Sequence, residues 1–327
     1  MAFFFILSGY VLSLGCGKRV ESGELRLVPF MKSRLIKLYP LHFVAMLTMV
    51  AFSLYEGNAF SVVPFLAQLF LVQAWAADVN TLIYGNAVSW FLGPLFLCYA
   101  LFPWLYCGMM MKRRKCFLFL LAAYFAVAYP WMLYGHTDEQ VDAFLYAFPP
   151  LRIADFILGM IAWRISSSQS VVAIRRRISE LSMPMATAVE LFAVALCAAT
   201  WVVYPHLPSS IRFSALYWLP FPVAIILFHY ADNGRGIISR LFRQRLMQWL
   251  GGISFEVYML HLIAITLAIF AYGRLFGYDS IIAMTAQANG FITYLPLFAM
   301  SLAVAVAMAA GAKAVFSTRR GKRLAKL

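Results

Sequence analysis

Long apolar stretches separated by short basic segments constrain this chain more than any other feature of its sequence. Hydrophobic residues occupy 63% of the 327 positions and charged residues 12%, which is about half the charged fraction of a soluble domain. A chain this apolar cannot cover its surface with polar side chains in water, but it is suited to lipid, where each helical crossing needs about 20 mainly apolar residues. The sequence therefore predicts an all-α, polytopic integral membrane protein.

The apolar stretches predict nine helical crossings. The predicted spans are 1–15, 39–54, 87–110, 116–134, 143–163, 185–203, 213–231, 252–274 and 291–312. A further apolar run, 60–76, is ambiguous, so the predicted fold is a helical bundle of about nine to ten transmembrane helices. Since no polar stretch is long enough to form a soluble domain, we expect a single transmembrane domain over 1–312, followed by a basic cytoplasmic tail over 313–327.

The positive charges lie in short clusters between the apolar stretches. The formal net charge is +14, and 24 of the 27 Lys and Arg residues fall in five segments, as in the cytoplasmic loops of membrane proteins. The five segments are 17–38, 112–115, 164–180, 232–246 and 313–327. All five lie on the same side of the membrane if 60–76 does not cross it. We therefore predict nine crossings, an outside N-terminus, a cytoplasmic C-terminus, membrane lipids as partners and no nucleic-acid partner.

Ionisable side chains at membrane depth are functional candidates, because inserting each one costs about 3 kcal/mol. Arg152 and Asp155 are three residues apart and share a face of a predicted helix. They form either a self-neutralising pair or an arginine that the aspartate directs at an anionic or polyhydroxyl substrate. His42 and His261 lie within predicted spans, where a neutral imidazole is either a general base for a hydroxyl or a structural histidine.

The other ionisable groups in or near the spans also have ordinary explanations. Glu190 and Glu256 lie near the ends of their spans, and His229 lies near the inner end of its span, so we expect interfacial or structural roles. Arg34 and Lys37 are either topology-setting cations or contacts for the phosphates of a cytoplasmic ligand. The five cysteines show no metal-ligand spacing, so we expect no metal site and no bound cofactor.

Several segments, in order, resemble the acyltransferase 3 family of bacterial membrane O-acyltransferases. Residues 3–12 are similar to its phenylalanine-rich Ser-Gly element, and residues 34–40 to its pair of basic residues followed by Tyr-Pro. Residues 89–103 resemble its Trp element that closes on Phe-Pro, and residues 249–261 resemble its late element that closes on Leu-His. Residues 152–159 are similar to its Arg-x-x-Glu-Phe-x-x-Gly pattern, with Asp in place of Glu.

The resemblance implies an enzyme of the bacterial cytoplasmic (inner) membrane that uses acyl-CoA, with acetyl-CoA as the first expectation, as a co-substrate. The acceptor would be a hydroxyl of a cell-surface or lipid-linked carbohydrate. The residues implied for acyl-donor binding are Arg34, Lys37 and Tyr39. The residues implied for positioning the acceptor are Arg152, Asp155 and Trp90.

The sequence departs from the family pattern at the expected catalytic base. The family's first helix carries a histidine that has no counterpart here, so we expect that the chain lacks this first transmembrane helix. Either His42 or His261 then supplies the base, or the chain is an inactive truncated member of the family. Lys37 replaces a family arginine, and Leu95 replaces a frequent glutamate.

Two further observations bear on the reaction class. The sequence contains no Gly-x-Ser-x-Gly nucleophile element, which favours direct transfer over an acyl-enzyme intermediate. Prolines interrupt two of the predicted spans, at 149–150 and 220–222, and interrupted spans are also typical of transporters. A transporter or flippase of lipid-linked sugar is therefore the alternative from another functional class.

Overall fold

The computed structural model describes residues 1–76, 78–110, 145–208, 211, 215–229, 234–276 and 291–324. Its α-helices are α1 Ala2–Glu21, α2 Leu27–Tyr55, α3 Val62–Leu69, α4 Val79–Ile83, α5 Leu92–Met110, α6 Pro149–Ser166, α7 Gln169–Glu180, α8 Met183–Val203, α9 Pro220–Phe228, α10 Ile237–Phe242, α11 Arg245–Gly252, α12 Ser254–Phe276 and α13 Phe291–Leu324. Short 3-10 helices lie at Gln73–Trp75, Ala87–Phe91, Tyr204–His206 and Ala215–Trp218. Every regular element in the described ranges is helical, which confirms the predicted all-α class.

Seven helices of the described chain are long and apolar enough to cross a membrane. They are Ala2–Glu21, Leu27–Tyr55, Ala87–Met109, Leu145–Ser166, Met183–His206, Ser254–Leu275 and Leu295–Phe316. They match seven of the nine predicted spans, so the chain is a multi-pass membrane protein. The predicted span 116–134 and the basic segment 112–115 lie outside the described residues. Within the predicted span 213–231, the described α-helix is α9, which has nine residues. It is about 14 Å long, which is about half the thickness of the hydrocarbon core of a bilayer. The total of nine to ten crossings and the sides of the two termini stay predictions.

The ambiguous run 60–76 contains α3, which has eight residues and is about 12 Å long at 1.5 Å per residue. The hydrocarbon core of a bilayer is about 30 Å thick, so α3 is too short to cross it. Leu71, just beyond α3, has φ 60°, a left-handed conformation that seldom continues a helix. The structure thus agrees with the prediction that this run does not span the membrane.

The chain forms two compact units, each assembled from segments that are distant in sequence. The first unit comprises Met1–Ile36, Phe70–Leu82 and Trp90–Gln244. The second unit comprises Lys37–Leu69, Ile83–Ser89 and Arg245–Leu327. Each unit has fully buried apolar side chains of its own, such as Phe156 in the first and Met259 in the second.

In the first unit, α1 and α6 cross at two glycines. A Cβ added to Gly9 of α1 would overlap the carbonyl oxygen of Phe156, and a Cβ added to Gly159 of α6 would overlap that of Ile6. Small residues allow helix backbones to approach this closely, and the resulting van der Waals contact helps to hold helices together in lipid. The crossing therefore fixes α6, which carries Arg152, against α1.

In the second unit, α12 and α13 pack along each other. Ala264 of α12 and the pair Ala305 and Ala309 of α13 are buried, so small side chains again allow a close helix contact. Nζ of Lys313 donates to the carbonyl of Gly252 at 2.9 Å. Gly252 is the last residue of α11, so its carbonyl oxygen receives no hydrogen bond from within that helix. Lys313 supplies the missing donor and also places a positive charge at the helix C-terminus, where the helix dipole favours one.

Candidate functional site

The second unit contains a buried cluster of polar side chains, which we call the His42 cluster. It consists of His42, Gln68, Asn86 and Ser89, each with a relative exposure of 0%. An unpaired buried polar group costs about 1–3 kcal/mol, so the hydrogen bonds of these four side chains determine whether the cluster is purely structural.

His42 and Tyr39, three residues apart on α2, both reach the C-terminal end of α3. The Tyr39 hydroxyl donates to the carbonyl of Leu69 at 2.9 Å, and Nε2 of His42 lies 3.1 Å from the carbonyl oxygen of Gln68. Both carbonyls belong to the last turn of α3, where helical partners are missing. Because a carbonyl oxygen can only accept, Nε2 of the neutral His42 ring carries the proton, and Nδ1 holds the free lone pair.

Gln68 lies at the centre of the cluster. Its Nε2 is 2.7 Å from the carbonyl oxygen of Tyr84, 2.9 Å from that of Asn86 and 2.9 Å from Oγ of Ser89. The two carbonyls can only accept, which identifies this end of the amide as the nitrogen. Gly85, with φ 57°, makes room for the other end, because a Cβ there would overlap Oε1 of Gln68. A single side chain thus joins α3 to the segment that follows α4.

The second predicted histidine belongs to the same network. Nδ2 of Asn86 donates to the carbonyl of Met259 at 3.0 Å, and the Tyr258 hydroxyl donates to the carbonyl of Val88 at 2.7 Å. These bonds join the segment after α4 to α12. Nδ1 of His261 lies 2.6 Å from the carbonyl oxygen of Tyr258, so Nδ1 carries the proton of the neutral ring and Nε2 holds the lone pair. The structure therefore brings both predicted histidines into one hydrogen-bonded network.

The free nitrogen of His42 is the chemically important atom of this cluster. Nδ1 is buried and has no hydrogen-bond partner within the described part of the chain, whereas most buried polar atoms in proteins are paired. A histidine whose role is to cap α3 needs one ring nitrogen for that role. A buried lone pair with no protein donor beside it is suited to accept a proton from a substrate hydroxyl. His261 is half-buried and less secluded, so His42 is the stronger candidate base.

The first unit holds the predicted acceptor-positioning residues. Nη1 of Arg152 lies 2.7 Å from Oδ2 of Asp155, and Nη2 donates to the carbonyl of Leu145 at 3.1 Å. The prediction that this pair shares a helix face is confirmed. Oδ1 of Asp155 is buried without a hydrogen-bond partner among the described residues, so it could accept from a substrate hydroxyl. The ring of Trp90 packs at a tilt against that of Tyr146, next to Leu145 in the chain, with ring centroids 4.8 Å apart, which places it in the same region.

The three predicted donor-binding residues lie on α2 in different surroundings. The guanidinium of Arg34 lies 5.0 Å from the ring centroid of Phe30 and 5.5 Å from that of Tyr99, which are cation–π distances. Its Nε is buried and has no hydrogen-bond partner in the described chain. Lys37 is exposed, and the Tyr39 hydroxyl is already bonded to α3. The two cations are therefore better placed than the tyrosine hydroxyl to contact phosphates.

Glu190 and His229, for which interfacial or structural roles were expected, have structural partners. The Glu190 carboxylate accepts from the backbone N–H groups of Ile238 at 3.0 Å and Ser239 at 3.2 Å, which ties α8 to the first turn of α10. Nδ1 of His229 lies 2.7 Å from the Tyr10 hydroxyl. In the described ranges, no group of three His, Cys, Asp or Glu side chains is placed to hold a metal ion.

Comparison with known proteins identifies the family of this chain. The family model for an acyltransferase domain, acyltransferase 3, matches residues 1–310. The chain belongs to the acyltransferase 3 family. It is 26% identical over 292 residues to acyltransferase MdmB of Streptomyces mycarofaciens, in an alignment that covers 80% of this chain and 66% of the relative. The chain thus spans about two thirds of the length of that relative. No solved structure gives a significant match to the chain.

Family membership confirms the resemblance seen in the sequence, and the structure shows where the acyltransferase 3 elements lie. The Ser-Gly element contributes Gly9 and the Arg-x-x-Asp-Phe-x-x-Gly element contributes Gly159, so these two elements meet at the α1–α6 crossing of the first unit. The Tyr-Pro element contains Tyr39, which contacts α3, and the Leu-His element ends at His261. These two elements meet the His42 cluster of the second unit. Its central residues, Gln68 and Asn86, lie outside all of the recognised elements.

Proposed function

We propose that this chain is a membrane-bound O-acyltransferase that transfers an acyl group, in the first instance acetyl, from acyl-CoA to a hydroxyl of a cell-surface or lipid-linked carbohydrate. The proposal places it in the bacterial inner membrane with a cytoplasmic C-terminus. Family membership supports acyl transfer. The observation that carries the mechanism is the lone pair on Nδ1 of His42, which is buried and without a hydrogen-bond partner in the described chain.

In the proposed reaction, Nδ1 of His42 accepts the proton of the acceptor hydroxyl as its oxygen attacks the thioester carbonyl. The C–O bond forms, the C–S bond breaks, and the thiolate of CoA leaves and takes up the proton from His42. The bond from Nε2 to the carbonyl of Gln68 holds the ring in the tautomer that this step requires and stabilises the transient imidazolium. A thioester is already activated, so a base and groups that steady the developing oxyanion are sufficient for direct transfer.

The remaining predicted residues bind the two substrates in this proposal. Arg34 and Lys37 contact the phosphates of the acyl-CoA, with Tyr39 beside them on α2. Oδ1 of Asp155, the buried acceptor held in place by the pair with Arg152, receives a hydroxyl of the carbohydrate. An aromatic face such as that of Trp90 is suited to pack on a sugar ring, since it supplies a flat apolar surface.

The decisive experiment separates donor binding from transfer. The full chain, purified in lipid nanodiscs, is tested for acetyl-CoA binding by calorimetry, and cells producing it are tested for O-acetyl groups on their surface glycans by mass spectrometry. The His42→Gln variant keeps a side-chain donor for the Gln68 carbonyl but has no basic nitrogen. We expect normal acetyl-CoA binding and a transfer rate lower by about 10²–10⁴-fold.

Matched variants test each part of this assignment. His206→Gln alters a histidine that is exposed and should leave transfer unchanged. Arg34→Ala and Lys37→Ala should weaken acetyl-CoA binding. Normal transfer by His42→Gln would reject His42 as the base, and an absence of acetyl-CoA binding to the unaltered chain would favour the transporter or an inactive family member.

A further inference from the structure

Helix α7 is fastened to the end of a membrane-spanning helix by a buried arginine. It follows α6 after a two-residue turn, and its N-terminus is capped by Oγ of Ser168, which accepts from the N–H of Val171 at 3.4 Å. Arg175 is the buried residue of α7, with 5% of its surface exposed, and its Nη2 donates to the carbonyl of Ser166 at the end of α6. Because Ser166 is the last residue of the membrane-spanning helix Leu145–Ser166, α7 lies at the level where the chain leaves the membrane.

The anchoring of Arg175 leaves apolar and cationic side chains of α7 uncovered. Val172 is 43% exposed and Ile174 is 54% exposed, although they lie on either side of the anchored face. Arg176 and Arg177 are also exposed. At 3.6 residues per turn, Arg177 lies on the side of the helix opposite Arg175, and Arg176 lies between Arg177 and Val172. Arg176 lies 3.6 Å from Glu180 in an ion pair whose members are 83% and 66% exposed, and such an exposed pair holds its partners weakly.

We propose that α7 lies flat on the membrane surface and binds anionic phospholipids. Val172 and Ile174 enter the boundary between headgroups and acyl chains, and Arg176 and Arg177 contact lipid phosphates. An amphipathic helix with this distribution is stabilised by apolar burial together with attraction to anionic headgroups. A soluble phosphate would satisfy the arginines but would leave both apolar side chains exposed to water, so the surface fits a lipid better than a free anion. This inference is independent of the proposed transferase activity.

The test compares lipid binding by the intact chain and by charge variants. The purified protein is delipidated in mild detergent and titrated with phosphatidylglycerol or phosphatidylcholine, and bound lipid is counted by native mass spectrometry. We expect phosphatidylglycerol to bind more tightly than phosphatidylcholine. The double variant Arg176→Gln/Arg177→Gln should lose affinity for phosphatidylglycerol by about fivefold per arginine, or about 25-fold in total.

Two controls make each outcome decisive. Arg176→Lys/Arg177→Lys keeps both charges and should bind phosphatidylglycerol nearly as the unaltered chain does. Val172→Ser/Ile174→Ser keeps the arginines and should also weaken lipid binding, which a site for a soluble anion would not show. Unchanged phosphatidylglycerol affinity in the Gln variant, or displacement of the lipid by millimolar inorganic phosphate, would overturn the proposal.

Discussion

Replacing Gln68 with leucine tests whether one amide organises the His42 cluster. Leucine is similar in size but has no donor, so Gln68→Leu removes the Nε2 group that lies 2.7 Å from the carbonyl oxygen of Tyr84 and 2.9 Å from that of Asn86. The Asn86 carbonyl keeps the N–H of Ser89 as a donor at 2.9 Å, whereas that of Tyr84 loses its Gln68 donor. A buried group that loses its partner costs about 1–3 kcal/mol, so the free energy of unfolding should fall by about 1–3 kcal/mol. An ordinary folded protein is stabilised by about 5–15 kcal/mol in total.

The free energy of unfolding is measured by titrating the purified protein in mixed micelles with sodium dodecyl sulfate and following tryptophan fluorescence. Gln169→Leu, which alters an exposed glutamine at the start of α7, is the matched control and should change stability by less than about 0.5 kcal/mol. NMR of [15N]histidine gives a second readout: His42 should carry its proton on Nε2 in both proteins, because it donates to the backbone carbonyl of residue 68, which leucine retains. A Gln68→Leu variant that matches the control in stability would refute the reasoning.

Two other predictions concern the first unit. Gly9→Val and Gly159→Val should each abolish the monodisperse peak in size-exclusion chromatography, because the new side chain overlaps a facing carbonyl, whereas Gly251→Ala, with nothing within 4 Å of its Cβ, should behave normally. A normal elution profile for either valine variant would contradict the close crossing. Arg152→Gln leaves the buried Asp155 carboxylate without its cationic partner, so the free energy of unfolding in the same detergent titration should fall by about 3–5 kcal/mol. The double variant Arg152→Gln/Asp155→Asn should recover most of this loss. An equal loss in the single and double variants would show that the buried charge is not what destabilises the protein.

The sequence was most informative where charge or helical spacing constrains the answer. The distribution of basic side chains along the chain predicts that 60–76 does not cross the membrane, and α3 is too short to do so. Helical periodicity predicts that Arg152 and Asp155 share a face, which their ion pair confirms. Both rules can be read directly from the order of residue types.

The His42 cluster could not be predicted in this way. Gln68 is a single polar residue within an apolar run, and its partners are backbone carbonyls of Tyr84 and Asn86. Backbone carbonyls occur at every position, so no residue pattern marks these two as partners. The position of Glu190 was no easier to predict, because its carboxylate accepts from the backbone N–H groups of Ile238 and Ser239 as well as from the Ser239 hydroxyl. Tertiary contacts to the backbone determine both sites, and these contacts have no periodic signature.

The crossing of α1 and α6 has a consequence for how this family varies. A side chain at Gly9 would meet the backbone of Phe156, and a side chain at Gly159 would meet the backbone of Ile6. The two glycines therefore do not contact each other, and each contacts the backbone of a different residue. An enlargement at one position therefore cannot be compensated by a change at the other, because the obstructing atom is a carbonyl oxygen that every residue carries. Correlated substitutions across homologues would consequently leave no trace of this contact, although the two backbones touch there.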